Sequence, residues 1–240
     1  MNLYQIVVLL IFILIIFYLK LSLSKKNRLK IQHQGLLNVR TLKQLIYFIQ
    51  QHRGMTAAYL NGKKEILPKI KTIRQRIQEN IKESELTFAQ DNERWHSFLD
   101  HWQRLSTGSA SKDNSFEQHT RLISNILYLL EDEAEKGLLF SQFLPQFPKA
   151  GYVWREAIGA TEMIGQVRAI GVSVATKKTC SSTDNIRLSF LQQQISDVNK
   201  TLGHQLYCLP QYLEEHKKLI KNTQDQTERL LATVDQYFLN

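Results

Sequence analysis

The chain has 240 residues, which is room for one membrane anchor and one domain, or for two small helical lobes that share a core. Five of its nine excess positive charges lie within eleven residues after the apolar N-terminus, on Lys20, Lys25, Lys26, Arg28 and Lys30. The remainder carries no basic stripe, which argues against nucleic acid as a partner. Two cysteines are too few for a disulfide framework or a metal site, so we expect reduced thiols.

The N-terminus predicts a membrane anchor. Leu3 to Leu19 is an apolar run in which Gln5 is the only strongly polar residue, and a helix of about 17–20 residues just spans the hydrocarbon core of a bilayer. A cleaved secretory signal is the alternative, but no positive segment precedes the run and no small-residue cleavage site follows it. We therefore predict an uncleaved transmembrane helix at residues 1–20.

The charges around this run predict its orientation. No Lys or Arg precedes it and five follow it, so the positive-inside rule places the N-terminus outside and the rest of the chain in the cytoplasm. The same basic cluster is suited to anionic lipid headgroups. The sequence thus predicts a single-pass protein of the cytoplasmic (inner) membrane, with a basic juxtamembrane segment at residues 21–35 and a domain at residues 36–240.

The domain is predicted to be all-α, because apolar residues recur at spacings of three and four and no alternating strand pattern occurs. The first stripe runs from Leu36 to Leu60 and ends at Asn61-Gly62, a helix C-cap. A second helix begins at Leu67-Pro68 and continues as a seam of isoleucines, with a break near Asp91-Asn92.

The second half of the domain is also predicted to be helical. Residues 108–115 form a loop, and Ser115 caps a helix that reaches about Phe143. Two more helical stretches cover residues 152–176 and residues 185–240, the latter with a kink at Pro210. Six or seven helices are expected in total, closing as a bundle.

The motifs of catalysis are missing. The sequence contains no HExxH, GxSxG, P-loop or GxGxxG pattern, and the seven histidines are scattered. No kinase, receiver or helix-turn-helix output module is recognised either. We therefore predict a binding protein rather than an enzyme, with no cofactor and no metal.

Two segments stand out because each places an arginine among small residues. Phe48–Leu60 carries Arg53, which shares a helix face with Gln50 and is followed by Gly54. Ile46 and Ile49 lie close to Arg53 on the helix, so its side chain is predicted to point toward the core. A guanidinium cannot lose its charge, so a buried one needs an anionic partner.

The second segment is Trp154–Gly171, in which Arg168 lies between Gly165 and Gly171. Glycine inside a helix costs about 1 kcal/mol relative to alanine, so two of them predict a close backbone approach or space for a ligand. Glu162 is the candidate acid to neutralise Arg168. Two arginines from different helices would clamp a small planar oxyanion through parallel hydrogen bonds.

A purely structural role for both arginines is the alternative. Most buried arginines bind carboxylates or helix C-terminal carbonyls, and small helical residues mostly indicate tight packing, so a buried charge points to function only statistically. By the same reasoning His52 is predicted to be a partly exposed helix residue. Trp95, Trp102 and Trp154 are expected in the core.

At these two segments the sequence resembles the nitrate- and nitrite-sensing (NIT) domain family. Gln50–Gly54 followed by Tyr59-Leu60 is similar to the N-terminal signature, and Ile164–Ala169 is similar to the later one. The resemblance implies an all-helical bundle of the kind attached to bacterial receptors and regulators, with Arg53 and Arg168 holding the anion. One departure is His52, which stands where the family usually has Glu.

Together these features predict a membrane-tethered sensory module for nitrate or nitrite. Arg53 and Arg168 supply charge and Gln50 a neutral hydrogen bond, while Gly54, Gly165 and Gly171 let helices approach. The signal would pass to an unknown protein partner or through homodimerisation of the anchor and the helix that follows it. The alternative is a membrane-tethered interaction protein, a helical bundle that docks a partner and binds no small ligand.

Overall fold

The computed structural model describes residues 3–85, 93–107, 112–206 and 214–239, with the side chains of the first helix from Phe12 onward. Within these ranges the chain is helical and contains no β-strand, which confirms the all-α prediction. The helices are α1 (Leu3–Leu60), α2 (Leu67–Glu85), α3 (Glu93–Ser106), α4 (Lys112–Lys136), α5 (Ala150–Tyr152), α6 (Ile158–Lys177), α7 (Ser182–Leu206) and α8 (Glu214–Val234). A π-helical turn at Val153–Ala157 joins the single turn of α5 to α6, and another follows α8 at Asp235–Leu239.

Helix α1 unites the predicted anchor, the basic segment and the first domain helix in one element of 58 residues. At about 1.5 Å per residue it is about 87 Å long. Gln32 is the first buried residue among its described side chains, so the basic cluster extends beyond the bundle. No helix within the described residues has both the length and the apolar character required to cross a membrane.

The first hydrophobic core lies among α1, α2, α3 and α4. The isoleucine seam of α2 faces it, with Ile73, Ile77 and Ile81 buried against the apolar stripe of α1. Trp95 and Trp102 of α3 are also buried there, as predicted, and Trp154 packs against its edge. Each fully buried side chain of this size contributes about 1.5–3 kcal/mol through the apolar surface removed from water.

The second core lies on the other side of α6. Val167, Ile170 and Val174 of α6 pack there against α7 and against Val234 at the end of α8. Ile158, at the start of α6, belongs instead to the first core. Helix α6 therefore runs from one core into the other, and its buried face meets α1 along the way.

Several predicted boundaries differ from those observed. Helix α4 already includes Ser115, which is buried within it and is not a cap, and the helix ends at Lys136 rather than near Phe143. It ends early because Leu138 adopts a left-handed φ of 53°, which stops helical hydrogen bonding. The C-cap at Asn61-Gly62 is confirmed by a φ of 110° at Gly62. The predicted break at Asp91-Asn92 and the kink at Pro210 lie outside the described residues.

Helix α1 and the residue that follows α4 are in close backbone contact at two glycines. A Cβ atom built on Gly35 would lie 2.5 Å from the Cα atom of Gly137, which is closer than side chains approach a backbone. Beside this contact Gln32 Nε2 donates to the Leu138 carbonyl at 3.2 Å. The two glycines therefore let bare backbones touch near the point where α1 leaves the bundle.

Replacing Gly35 with Ala should destabilise the fold, because the added methyl group meets the backbone of Gly137. We expect the free energy of unfolding to fall by about 1–3 kcal/mol, as in other overpacked sites. The matched control is Gly159→Ala on α6, where a Cβ would meet nothing within 4 Å. That variant should be neutral or gain up to about 1 kcal/mol. Urea unfolding of the full chain in detergent micelles measures the free energy of unfolding of each variant. Equal values for Gly35→Ala and Gly159→Ala would contradict the close contact at Gly35.

Candidate functional site

A buried ion pair joins α1 to α6 between the two cores. Arg53 is 1% exposed, so its side chain points inward as predicted. Its Nη1 atom lies 2.5 Å from Oε1 of Glu162, and its Nη2 atom lies 3.2 Å from Oε2. The guanidinium therefore binds both carboxylate oxygens at once, the geometry that arginine offers to planar anions.

Two glutamines complete the surroundings of the Glu162 carboxylate. Gln50 Nε2 donates to Oε2 at 2.9 Å, and Gln166 Nε2 donates to Oε1 at 3.0 Å. Each carboxylate oxygen thus accepts one bond from Arg53 and one from an amide. A buried ion pair is stable only when such additional hydrogen bonds offset the loss of hydration.

Helix α4 supplies the remaining contacts of Arg53. Nη1 donates to the hydroxyl of Thr120 at 3.1 Å, and the guanidinium carbon lies 5.3 Å from the centre of the Phe116 ring. A cation over an aromatic face gains electrostatic stabilisation. The Nε atom of Arg53 is buried and has no hydrogen-bond partner. Three helices, α1, α4 and α6, therefore meet at this one side chain.

Gly165 makes room for the site. A Cβ atom there would lie 3.0 Å from Nη2 of Arg53 and 3.4 Å from the side-chain amide of Gln50. Because glycine has no side chain, the guanidinium and the amide lie directly against the α6 backbone. This is the close approach that the sequence predicts for this position.

The other predicted site residues are not brought to Arg53. Arg168 is exposed on α6 and forms no ion pair within the described ranges, because it lies about 120° around the helix from Glu162. Glu162 pairs with Arg53, not with Arg168 as expected. A Cβ atom built on Gly171 would lie 3.6 Å from the ring of Phe238, and a Cβ atom built on Gly54 would meet nothing within 4 Å. The structure therefore shows a one-arginine site instead of the expected clamp.

A second polar network lies one residue before Arg53. The prediction that His52 is partly exposed is wrong, since it is 1% exposed. Its Nδ1 atom lies 2.7 Å from Nε2 of His119, and its Nε2 atom lies 3.0 Å from Nε of Arg74. His119 Nδ1 lies 2.6 Å from the Ser115 carbonyl. A chain of four residues therefore connects α2, α1 and α4.

The donors in this series of hydrogen bonds fix the tautomers of both histidines. Arginine Nε can only donate, so His52 accepts at Nε2 and carries its proton on Nδ1. That proton is donated to His119 Nε2, and His119 donates from Nδ1 to the Ser115 carbonyl. Burial is the main cause that lowers the pKa of His52 to about 2 and the pKa of His119 to about 4. Both rings are therefore neutral at physiological pH.

The two networks together hold α1 in register with α4. Consecutive residues of α1, His52 and Arg53, bond to consecutive residues of α4, His119 and Thr120. No sequence signal marks the histidine pair, whose members are 67 positions apart. The partners of Arg53 on α6 do have a sequence signal. Glu162 and Gln166 are four positions apart, so they lie on the same helix face as Gly165.

No family model, curated protein or solved structure matches the chain. Across residues 3–85, 93–107, 112–206 and 214–239 no cluster of His, Cys, Asp and Glu is placed to hold a metal ion. The resemblance to the NIT family thus stays a prediction.

Replacing Glu162 with Gln should be strongly destabilising, because it leaves the charge of Arg53 buried without a counter-charge. We expect a loss of about 3–5 kcal/mol in the free energy of unfolding. Much of it should return in the double variant Arg53→Leu, Glu162→Leu, which removes both charges. The control is Arg187→Gln, whose ion pair with Glu117 is 43% and 44% exposed and should contribute less than about 1 kcal/mol. Equal losses in the two single variants would contradict the assignment.

The neutral histidines predict acid sensitivity. Below about pH 6.5 an unfolded histidine binds a proton, whereas folded His52 and His119 stay neutral until about pH 2 and pH 4. The unfolded state then binds more protons, so stability falls as the pH falls, by about 2 kcal/mol per histidine at about pH 5. His119→Gln should remove about half of the dependence that these two histidines contribute. A profile that His119→Gln leaves intact would refute the interpretation.

Proposed function

We propose that the chain is a membrane-tethered sensory module that binds a small planar oxyanion, nitrate or nitrite, at Arg53. The observation that carries this proposal is the bidentate hydrogen bonding of the Arg53 guanidinium to the Glu162 carboxylate. A carboxylate and a nitrate ion are both planar, and each presents two oxygens to a guanidinium in the same way. The space around the carboxylate therefore has the shape and the donors that such an anion needs.

In this proposal Glu162 is an internal competitor for the anion. The oxyanion takes the place of the carboxylate and receives hydrogen bonds from Arg53, Gln50 and Gln166. The displaced Glu162 side chain turns out of this position, while Gln166 on the same helix stays beside the anion. Binding then favours a packing of α6 against α1 that differs from the unliganded one, which is the condition for a ligand to transmit a signal.

The N-terminal part of α1 supports the membrane tether. Eight consecutive residues, Phe12 to Leu19, are large, apolar or aromatic, and 41% to 71% exposed. A helix segment that is apolar on every face needs an apolar environment, which a bilayer provides. With the basic cluster after it, the tether places the N-terminus outside and the domain in the cytoplasm. A protein partner or a second copy of the chain then receives the signal.

The second candidate function is an interaction module without a small ligand. It is favoured by one observation: Arg53 is already neutralised by Glu162 and is shielded from solvent. In that case the ion pair only holds the bundle together, and a partner docks elsewhere on the domain. The two candidates differ in whether an added anion changes the protein.

Calorimetry on the full chain in detergent micelles distinguishes the oxyanion sensor from the interaction module. Nitrate or nitrite should release or absorb heat and raise the melting temperature, whereas chloride and sulfate at equal ionic strength should not. Glu162→Gln removes the competing charge and should tighten anion binding by about tenfold, the effect of one charge-assisted bond. Arg53→Ala should abolish the response, and Arg229→Ala, exposed on α8, should not change it.

Each outcome decides between the alternatives. Absence of any response to anions in the wild type and in Glu162→Gln would exclude the sensor and leave the interaction module. A response that survives Arg53→Ala would place the anion elsewhere. Arg168→Ala tests the two-arginine form of the proposal, because this exposed residue reaches the anion only if α6 rotates when the anion binds.

A further inference from the structure

An open cavity of about 320 Å³ lies between α4, α6 and α7. Its floor is apolar and includes Phe116, Ile170 and Leu191. Its volume is at the lower end of the range of small-molecule sites, which is about 300–1,000 Å³. The cavity therefore has room for one ring with a polar substituent.

One wall of the cavity is polar and belongs to the Arg53–Glu162 network. Thr120 and Gln166 line it, the former bonded to Arg53 and the latter to Glu162. The side-chain amide of Gln166 has two N–H donors, of which one bonds to Glu162. The second N–H has no acceptor among the described residues.

The rim carries an excess of positive charge. Arg121 of α4 and Arg187 of α7 both line the cavity, together with Glu117. Glu117 accepts a hydrogen bond from Arg187 at 2.8 Å and neutralises it. Arg121 is exposed and forms no ion pair with any described residue. Among the described residues, Arg121 therefore offers a guanidinium without an ion-pair partner to an anion.

The lining of the cavity also includes an exposed aromatic ring. Phe190 of α7 lines the cavity and is 64% exposed, although its ring is a large hydrophobic surface. An exposed aromatic ring beside an apolar floor and a free guanidinium matches a ligand with an apolar body and an anionic group.

We propose that this cavity binds a small organic anion, a carboxylate on an aromatic or cyclic aliphatic body. The carboxylate bonds to Arg121 and to the second N–H of Gln166, and the body lies on Phe190 and the apolar floor. This site is separate from the buried position at Arg53 and needs no inorganic oxyanion. Through Gln166 its occupant contacts a residue that bonds to Glu162, so it is placed to influence the ion pair.

Benzoate and cyclohexanecarboxylate are the probes, added to the full chain in detergent micelles and followed by calorimetry and ligand-observed saturation-transfer NMR. Benzamide has the ring without the charge, and acetate has the charge without the ring. We expect both controls to bind about tenfold more weakly than benzoate, because each lacks one of the two contacts.

Substitutions at the rim locate the site. Arg121→Gln and Phe190→Ala should each weaken benzoate binding by about fivefold to tenfold. Their matched controls are Arg229→Gln on α8 and Ile186→Ala on α7, which are exposed and do not line the cavity. All four side chains are at the surface, so the variants should fold as the wild type does.

Two results would overturn the proposal: equal binding of benzoate and benzamide, or benzoate binding that both rim variants leave unchanged. The outcome is independent of the oxyanion proposal. Arg53→Leu, Glu162→Leu removes the buried ion pair but no residue of the cavity, so benzoate should still bind to it while any nitrate response is lost. Loss of benzoate binding with Arg121→Gln and retention of a nitrate response would show that the two sites are distinct.

Discussion

The ion pair of Arg53 and Glu162 is the interaction on which the arrangement of the helices depends. Two charges taken out of water lose hydration worth several kcal/mol each, and only close geometry with further hydrogen bonds offsets that loss. The surrounding residues meet this requirement: two amides donate to the carboxylate, and a hydroxyl and an aromatic face stabilise the guanidinium. A helix that shifted would leave one of these charges without a partner.

The pair also explains how two hydrophobic cores are joined into one domain. Apolar packing is non-directional, so it does not by itself fix how α6 is rotated against α1. The bond between Arg53 and Glu162 allows only one rotation, and Gly165 allows the backbones to come close enough for it. The hydrogen-bonded pair of His52 and His119 fixes the rotation of α1 against α4 in the same way, and both of its rings are neutral.

The sequence predicts those features that repeat within a single helix. The stripe of α1, the isoleucine seam of α2 and the inward direction of Arg53 follow from a period of 3.6 residues. The partners of Arg53 and His52 do not follow, because they lie 22 to 109 positions away and depend on how separate helices rotate against each other. Arg168 and Glu162 illustrate this limit. They are six residues apart on α6, yet the side chain of Arg168 is exposed and that of Glu162 is buried. The sequence does not predict the end of α4, because the helix stops where Leu138 adopts a left-handed φ and no proline marks that position.

The contact of Gly35 with Gly137 makes α1 a lever with a fixed fulcrum. Arg53 lies about 27 Å from the fulcrum on one side, and the N-terminal end of the helix lies about 48 Å from it on the other. If α1 moves as a rigid rod about this contact, each ångström of sideways displacement at Arg53 becomes about 1.8 Å at the far end, in the opposite direction. On that condition a small repacking beside the ion pair is amplified at the N-terminal end of α1, and the position of Gly35 sets the ratio.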